Sequence, residues 1–471
     1  MLNLHKYCLI STKFLKNLKN SFFIQFRVNS LKIDENSLFS RFQNHSSKEI
    51  NNHLFKTSSF LDKKIYQTDI KLGKSIEHSL GLIYLQSFSS MIPAFVLNPG
   101  ENDKILDLCS APGSKTTLIA ELMNNKGFIL ANEISIDRIK MLASNIDRLG
   151  ITNTAISNMN GGLISKYFIN YFDKVLIDPP CSALGSHQAS STWRLERNLK
   201  RLDRLTEIQF RLLVAAAKVL KIGGELVYST CTTTLEENEL LISKFVNKYP
   251  FEVVDTKLSD LFGKNLTGRK ISSELSKTLR LDPDAVKSEG FFIAKLKKVD
   301  DIKDESPAPM NFNSKIQVRS SANIIILNAL ESLSENYGID KSLWEQYQYY
   351  QNADDIYFIS KTDFDFTTIP LHRIGLKLTS FDKKTGWRLS TNAAQILTKH
   401  ISKNIVELSR KEDLISYYMG HKTKVDHADS DFVVVKYDGL IFGSGKIKNR
   451  ILFSYFPKGR RMNEVDFDSL R

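Results

Sequence analysis

A short apolar run that stops at two prolines is the feature that most constrains the fold. The residues Val175 to Ile177 are followed by Asp178, by Pro179-Pro180 and by Cys181. Since proline cannot donate a backbone hydrogen bond, this pattern predicts a buried parallel strand whose carboxyl end meets a cleft. Open α/β sheets bind their ligands at that edge. The sequence therefore predicts that the Asp178 carboxylate and the Cys181 thiol lie at an active site.

A second thiol stands in a matching place on another predicted strand. Cys231 directly follows the stretch 224–230. Because parallel strands end at one edge of a sheet, we expect Cys181 and Cys231 to face the same crevice. The chain has four cysteines, Cys8, Cys109 and these two, and their wide spacing favours a reducing compartment over a disulfide framework. No cluster of cysteine and histidine in the sequence suggests zinc, and we expect no metal.

Strand-like and helix-like segments alternate over the middle of the chain, which predicts an α/β domain with a doubly wound, mainly parallel sheet. We divide the chain at changes of sequence character and at a polar, proline-bearing stretch. The predicted parts are a small α/β extension at 1–72, the sheet domain at 73–299, a linker at 300–312, and a separate α+β module at 313–471.

Composition limits the partners of such a chain. Of its 471 residues, 65 are Lys or Arg and 52 are Asp or Glu, so the formal net charge is +13 and favours a polyanionic partner. No apolar run reaches the ~18–20 residues of a membrane span. We expect a cytoplasmic monomer that does not enter a membrane.

A loop after the first predicted strand of the sheet is a candidate ligand site. Pro112-Gly113 joins strand to helix within the stretch 107–115, and the free amides of such a turn can hold a polar or anionic ligand. The loop matches neither the dinucleotide nor the P-loop pattern. Glu133 ends the next strand, where α/β cofactor sites place an acid against a ribose diol.

The two thiols suit methyl transfer to carbon 5 of a pyrimidine. A thiolate that adds to carbon 6 makes carbon 5 nucleophilic enough to attack a methyl sulfonium. Asp178 is placed to share a proton with the ring. An aromatic residue after Asp178-Pro179-Pro180 would instead suggest methylation of a base amino group, but Cys181 stands there.

These motifs together resemble the NOL/NOP/Sun (RsmB/RsmF-like) family of S-adenosylmethionine-dependent RNA cytosine-C5 methyltransferases. The resemblance covers roughly residues 22–298 and rests on the motifs at 27–32, 84–91, 107–115, 178–182, 229–239 and 290–294. It implies a Rossmann-like class I methyltransferase sheet with an N-terminal RNA-binding extension. The implied reaction forms 5-methylcytosine in structured RNA, with ribosomal and transfer RNA both open.

The resemblance also implies roles for single residues. Cys231 would be the nucleophile, Cys181 would help resolve the covalent adduct, and Asp178 would contact the cytosine and the surroundings of S-adenosylmethionine. Glu133 would bind the ribose and Arg138 would support the site. The methionine part of the cofactor would lie against Cys109, Ser110, Ala111, Pro112, Gly113, Ser114 and Lys115.

Asn160 and Ser114 depart from the family pattern. Asn160 stands where an aspartate is usual, and it can still hydrogen-bond an adenine edge, whereas Ser114 replaces a glycine. The C-terminal module resembles the PUA-like domains of bacterial ribosomal-RNA members. The residues concerned are Gly439, 442–446 and 456–461, whose basic side chains, interleaved with Phe453, Tyr455 and Phe456, could contact phosphates and stack on bases.

Two alternatives remain open at this point. A DNA cytosine methyltransferase would use Cys181 as its nucleophile. A protein that kept the fold without the activity would act as an RNA-binding assembly factor.

Overall fold

The computed structural model describes residues 24–43, 65–68, 71–185, 201–256, 258, 262, 266–286, 288–302 and 316–461. Most of the predicted linker, and Cys8, lie outside these residues. Within them, no helix is long and apolar enough to cross a membrane.

The N-terminal extension is a three-stranded antiparallel sheet that packs against the central domain. The strands run in the order β2-β1-β3, and they are β1 (Ile24–Val28), β2 (Ile65–Thr68) and β3 (Ile83–Leu85), with helices α1 (Glu35–Gln43) and α2 (Ile76–Leu80). Arg27 on β1 is 4% exposed; it pairs with Glu121 and donates a 2.8 Å hydrogen bond to Thr117 Oγ1. The extension is therefore fastened to a helix of the neighbouring domain through a buried ion pair.

The central domain is built on a mixed sheet of nine described strands. Its parallel part has the order β8-β7-β4-β5-β6. These strands are β4 (Lys104–Asp107), β5 (Phe128–Asn132), β6 (Thr154–Ser157), β7 (Phe172–Ile177) and β8 (Leu220–Thr230). Beyond β8 the sheet continues antiparallel with β9 (Phe251–Val254), β10 (Leu279–Leu281) and β11 (Phe291–Lys298).

Helices cover both faces of this sheet because successive residues of each strand point in opposite directions. Ile105 joins one apolar cluster and Leu106, its neighbour on β4, joins the other. The helices are α3 (Phe88–Leu97), α4 (Ser114–Leu122), α5 (Ile136–Leu149), α6 (Leu202–Val219), α7 (Glu239–Val246), α8 (Leu266–Ile271) and α9 (Pro283–Val286). The predicted α/β class and the Rossmann-like sheet are confirmed.

The C-terminal part contains two five-stranded sheets in the orders β12-β13-β14-β16-β17 and β18-β20-β21-β22-β19. The first comprises β12 (Val318–Arg319), β13 (Tyr347–Asn352), β14 (Asp355–Ser360), β16 (Leu376–Asp382) and β17 (Gly386–Leu389), with β15 (Leu371–Ile374) between β14 and β16 along the chain. The second comprises β18 (Ile405–Leu408), β19 (Thr423–Lys424), β20 (Ser430–Tyr437), β21 (Leu440–Lys448) and β22 (Ile451–Ser454). The helices here are α10 (Ile324–Tyr337), α11 (Thr391–Ile396) and α12 (Lys411–Met419).

The strand β15 leaves its own module and completes the central sheet. It pairs antiparallel with β6, so residues of the predicted C-terminal module share a sheet with the predicted methyltransferase domain. Phe364, just before β15, stacks on Phe128 of β5 with ring centroids 4.1 Å apart. The two segments on either side of the predicted linker are therefore one packed unit along this edge.

A lysine side chain connects all three parts of the chain at another point. Lys32 Nζ donates hydrogen bonds of 2.8 Å to Leu80 O, 2.7 Å to Arg148 O and 3.0 Å to Gln395 Oε1. One ammonium group thus connects the N-terminal extension, the central domain and the C-terminal module.

This shared core predicts that Phe364→Ala destabilises the central domain. Phe364 is 4% exposed, and truncation of a buried phenylalanine costs about 3–5 kcal/mol. Phe381→Ala is the matched control, because Phe381 is 40% exposed on the same module. Urea unfolding measures the free energy of unfolding of each variant. Hydrogen exchange at the amides of β4 and β5 shows whether the central domain is affected. Equal unfolding free energies for the two variants would contradict the shared core.

Candidate active site

The candidate residues come together where the sheet reverses its direction of winding. The chain proceeds from β4 to β5 and β6 on one side, and from β7 to β8 on the other, so the loops after β4 and β7 diverge and leave a crevice between them. The loops after β4, β5, β7 and β8 carry Cys109–Lys115, Glu133, Asp178–Cys181 and Cys231 respectively.

The loop after β4 is held against the end of β5. The Ser110 N–H and the Ser110 hydroxyl each donate a 2.9 Å hydrogen bond to Asn132 O. Gly113 adopts φ +102° at the start of α4, and a Cβ there would lie 2.8 Å from Leu142 Cδ1. Glycine is therefore required where the loop turns into the helix.

Glu133 presents a buried oxygen that lacks a hydrogen bond. The residue is 2% exposed, and its Oε1 accepts a 2.9 Å hydrogen bond from the Ser135 N–H. Arg138 Nη1 lies 3.0 Å from Oε2 as an ion pair but is not aligned to donate, so Oε2 has no hydrogen-bond donor. Arg138 Nη2 donates to Ala111 O. A ribose hydroxyl would satisfy Oε2, so these residues fit the cofactor that the resemblance implies.

Asn160 caps a short helix at the end of the loop after β6. Its side-chain oxygen accepts a 3.0 Å hydrogen bond from the Gly162 N–H and caps the short helix Gly161–Lys166. The cap uses one acceptor site of the side-chain oxygen, so the predicted contact of Asn160 with an adenine edge stays a prediction.

A salt bridge links the loops after β4 and β7. Lys115 Nζ lies 2.5 Å from Asp178 Oδ2, while Asp178 Oδ1 accepts a 3.3 Å hydrogen bond from Ser229 Oγ. Burial lowers the pKa of Lys115, but the neighbouring Asp178 outweighs this and the net pKa is raised. Lys115 therefore keeps its charge at neutral pH and holds the Asp178 carboxylate in place.

The two predicted thiols are in contact. Cys181 Sγ and Cys231 Sγ lie 3.4 Å apart, and both side chains are free and partly exposed. The hydrogen bond with Cys231, together with burial, raises the pKa of the Cys181 thiol well above its usual value. Either sulfur of this pair can donate the S–H hydrogen bond to the other.

Two further groups at this edge lie within the sequence motifs at 84–91 and 107–115, which did not assign them individual roles. Asp107 at the end of β4 accepts a 2.7 Å hydrogen bond from Thr116 Oγ1, and burial raises its pKa to about 7. Ser90 accepts a 3.3 Å hydrogen bond from Lys115 Nζ. An acid ending an apolar strand was a usable signal for the role of Asp107, whereas the contact of Ser90 with Lys115 depends on the packing of separate segments. No group of three or more potential metal ligands occurs among the residues described.

The basic C-terminal residues are divided between interior and surface. Arg460 donates to Ser79 O at 2.6 Å and to Asn392 Oδ1 at 2.7 Å, and Arg461 donates to Phe456 O at 2.9 Å. These arginines hold the protein together, which does not support the expectation that they contact phosphates. Partly exposed cation–aromatic pairs remain at Arg388 with Tyr455 and at Lys446 with Phe453.

Comparisons with known proteins agree with the arrangement of the chain. Residues 94–297 match the family described as 16S rRNA methyltransferase RsmB/F, and residues 403–462 match the Methyltransferase RsmF PUA domain. Ribosomal RNA small subunit methyltransferase F of Shewanella woodyi is 36% identical over 83% of this chain and 81% of its own length. The Vibrio vulnificus protein of the same name is 31% identical over 82% of this chain and 80% of its own length.

A solved structure supports the central fold. The methyltransferase homolog protein from Pyrococcus horikoshii has a TM-score of 0.50 and 30% identity, covering 60% of this chain and 88% of its own.

The buried oxygen of Glu133 predicts that Glu133→Ala weakens S-adenosylmethionine binding. Loss of hydrogen bonds to the ribose should reduce the binding free energy by roughly 1–3 kcal/mol. Asp137→Ala is the control, because the Asp137 carboxylate lies nearby but 84% exposed in an ion pair with Lys140. Isothermal titration calorimetry measures both, and an unchanged affinity for Glu133→Ala would remove this residue from the site.

The thiol contact predicts that Cys181 becomes more reactive in Cys231→Ala. Removing the hydrogen bond that contributes most to its raised pKa increases the thiolate fraction about tenfold for each unit that the pKa falls. Iodoacetamide labelling at pH 8 with peptide mapping measures the rate. Cys109 is the internal reference, since burial is the main cause of its raised pKa. Equal labelling rates of Cys181 in the wild-type protein and in Cys231→Ala would contradict the Cys231 contact as a cause of the raised Cys181 pKa.

Proposed function

This chain belongs to the RsmB/F family of 16S rRNA methyltransferases, and on that premise we propose that it forms 5-methylcytosine in small-subunit ribosomal RNA through a covalent adduct with Cys231. The observation that carries the proposal is the 3.4 Å contact of two free thiols beside Asp178. Such a pair serves a reaction in which one sulfur bonds to the base and must later be released.

Cys231 begins the reaction by adding to carbon 6 of a cytosine. As the C–S bond forms, the electrons of the C5=C6 double bond shift toward carbon 5. Asp178 shares a proton with the ring and so stabilises the charge that develops there. Lys115 keeps the Asp178 carboxylate oriented during this step. S-Adenosylmethionine, the cofactor of this family, supplies the electrophilic methyl group when bound.

Cys181 acts when the adduct is resolved. A water molecule acting as base takes the carbon 5 proton, the electrons of that C–H bond restore the C5=C6 bond, and the Cys231 sulfur leaves as a thiolate. The protonated Cys181, in contact with that sulfur, stabilises it by a hydrogen bond as it leaves. The choice of Cys231 rather than Cys181 as the attacking sulfur follows the family resemblance, and the DNA-type assignment, in which Cys181 attacks, is tested by the variants below.

Substitution of the two cysteines separates these roles. Cys231→Ala should neither methylate RNA nor form an adduct, because it lacks the attacking sulfur. Cys181→Ala should still add and methylate, but it should release slowly and accumulate RNA adducts that persist on a denaturing gel. Cys109→Ala, which deletes a third thiol near the same edge, is the control and should accumulate none. Adducts from Cys231→Ala and none from Cys181→Ala would refute the assignment, and none from any variant would favour an inactive RNA-binding protein.

The product is tested directly on RNA. Small-subunit ribosomal RNA from cells that lack the gene, incubated with the protein and S-adenosylmethionine, should gain one or more bisulfite-resistant cytosines. Transfer RNA from the same cells is the comparison substrate. Resistance in transfer RNA alone would move the proposal to that substrate.

A further inference from the structure

Glu237 is a buried carboxylate directly behind the two cysteine loops. Its side chain is fully buried, at 0% exposure. Oε1 accepts 2.9 Å hydrogen bonds from the Ser182 N–H and from Gln209 Nε2. Oε2 accepts hydrogen bonds from Ser182 Oγ and, at 2.7 Å, from Thr234 Oγ1. The four donors are all neutral groups.

These contacts join the segment that carries Cys181 to the segment that carries Cys231. Ser182 follows Cys181 directly, whereas Glu237 lies on the loop that follows Cys231. Ser182 Oγ also lies 2.6 Å from Thr232 Oγ1, which gives the two loops a second link. The carboxylate therefore receives donors from both sides of the crevice.

Burial of an ionised carboxylate among neutral groups is costly unless its hydrogen bonds are well made. Glu239, two residues later in the sequence, shows a less costly way to bury a carboxylate, because Arg280 donates a 2.6 Å hydrogen bond to each of its oxygens. Four hydrogen-bond donors converge on the Glu237 carboxylate, which joins the two cysteine loops. Its geometry is therefore suited to fixing the distance between these loops.

We infer that Glu237, acting through Ser182, is a positioning residue that sets the separation of the Cys181 and Cys231 sulfurs. The side chain does not touch the reacting atoms. It holds the backbone of the Cys181 segment against that of the Cys231 segment, so that the protonated thiol meets the departing sulfur. The consequence for release of the adduct rests on the proposed function, whereas the consequence for thiol separation does not.

Oxidation by diamide tests the thiol separation without any assay of methylation. Diamide takes two electrons and two protons from the pair of thiols, which become a disulfide, and is itself reduced to the hydrazine. We expect the Cys181–Cys231 cross-link, measured by peptide mapping, to form at least about tenfold more slowly in Glu237→Ala, since reactions of held groups depend steeply on placement. Glu236→Gln is the control, because Glu236 is the partly exposed neighbour of Glu237, and it should cross-link at the wild-type rate.

Two further variants keep the test decisive if Glu237→Ala does not fold. Glu237→Gln retains the shape, and the two hydroxyls can rotate to accept from its amide, so its cross-linking rate should remain within about threefold of wild type. Ser182→Ala removes the hydroxyl that contacts both Glu237 and Thr232 and should cross-link at least about threefold more slowly. Thermal unfolding and S-adenosylmethionine binding establish which variants are folded. A wild-type rate in Ser182→Ala, or in folded Glu237→Ala, would overturn the inference.

The catalytic consequence is measured separately. Glu237→Ala should lower kcat while KM for RNA stays unchanged, and it should accumulate denaturation-resistant adducts that Glu237→Gln does not. Slow cross-linking without adducts would leave the positioning role intact and count against the covalent mechanism. Normal cross-linking with normal release would overturn the positioning role alone.

Discussion

The ion pair between Lys115 and Asp178 connects the two halves of the central sheet where they diverge. Lys115 lies in the first turn of the helix after β4 and Asp178 directly follows β7, so their contact spans the crevice that the change of winding opens. The pair places the Asp178 carboxyl group near the two thiols and keeps the charge of Lys115 buried.

The sequence predicted the strand ends better than it predicted what joins them. Apolar runs stopped by Pro179-Pro180 and by Pro112-Gly113 placed the loops correctly, because sheets of this type bring such ends together. The contact of Cys181 with Cys231 followed from that rule and was found at 3.4 Å.

Other features depended on contacts between distant residues. The four residues of β15 carry no strong strand signal, and their pairing with β6 follows from packing of the C-terminal module. The charge of an arginine does not determine whether its side chain points into the protein or into solvent, so the internal contacts of Arg460 could not be predicted from the sequence. The helix cap formed by Asn160 was not predicted either, because it is set by local backbone geometry.

The pairing of β15 with β6 has a consequence for how freely the parts of this protein can be exchanged. Without β15 the backbone amides and carbonyls of β6 would form an open edge, which invites association with other chains. A chimera that joined a foreign RNA-binding module after residue 302 would expose that edge and Phe128 together. A chimera of this protein therefore needs its junction beyond β15. The central domain then keeps the strand that completes its sheet, although the sequence places that strand in the C-terminal module.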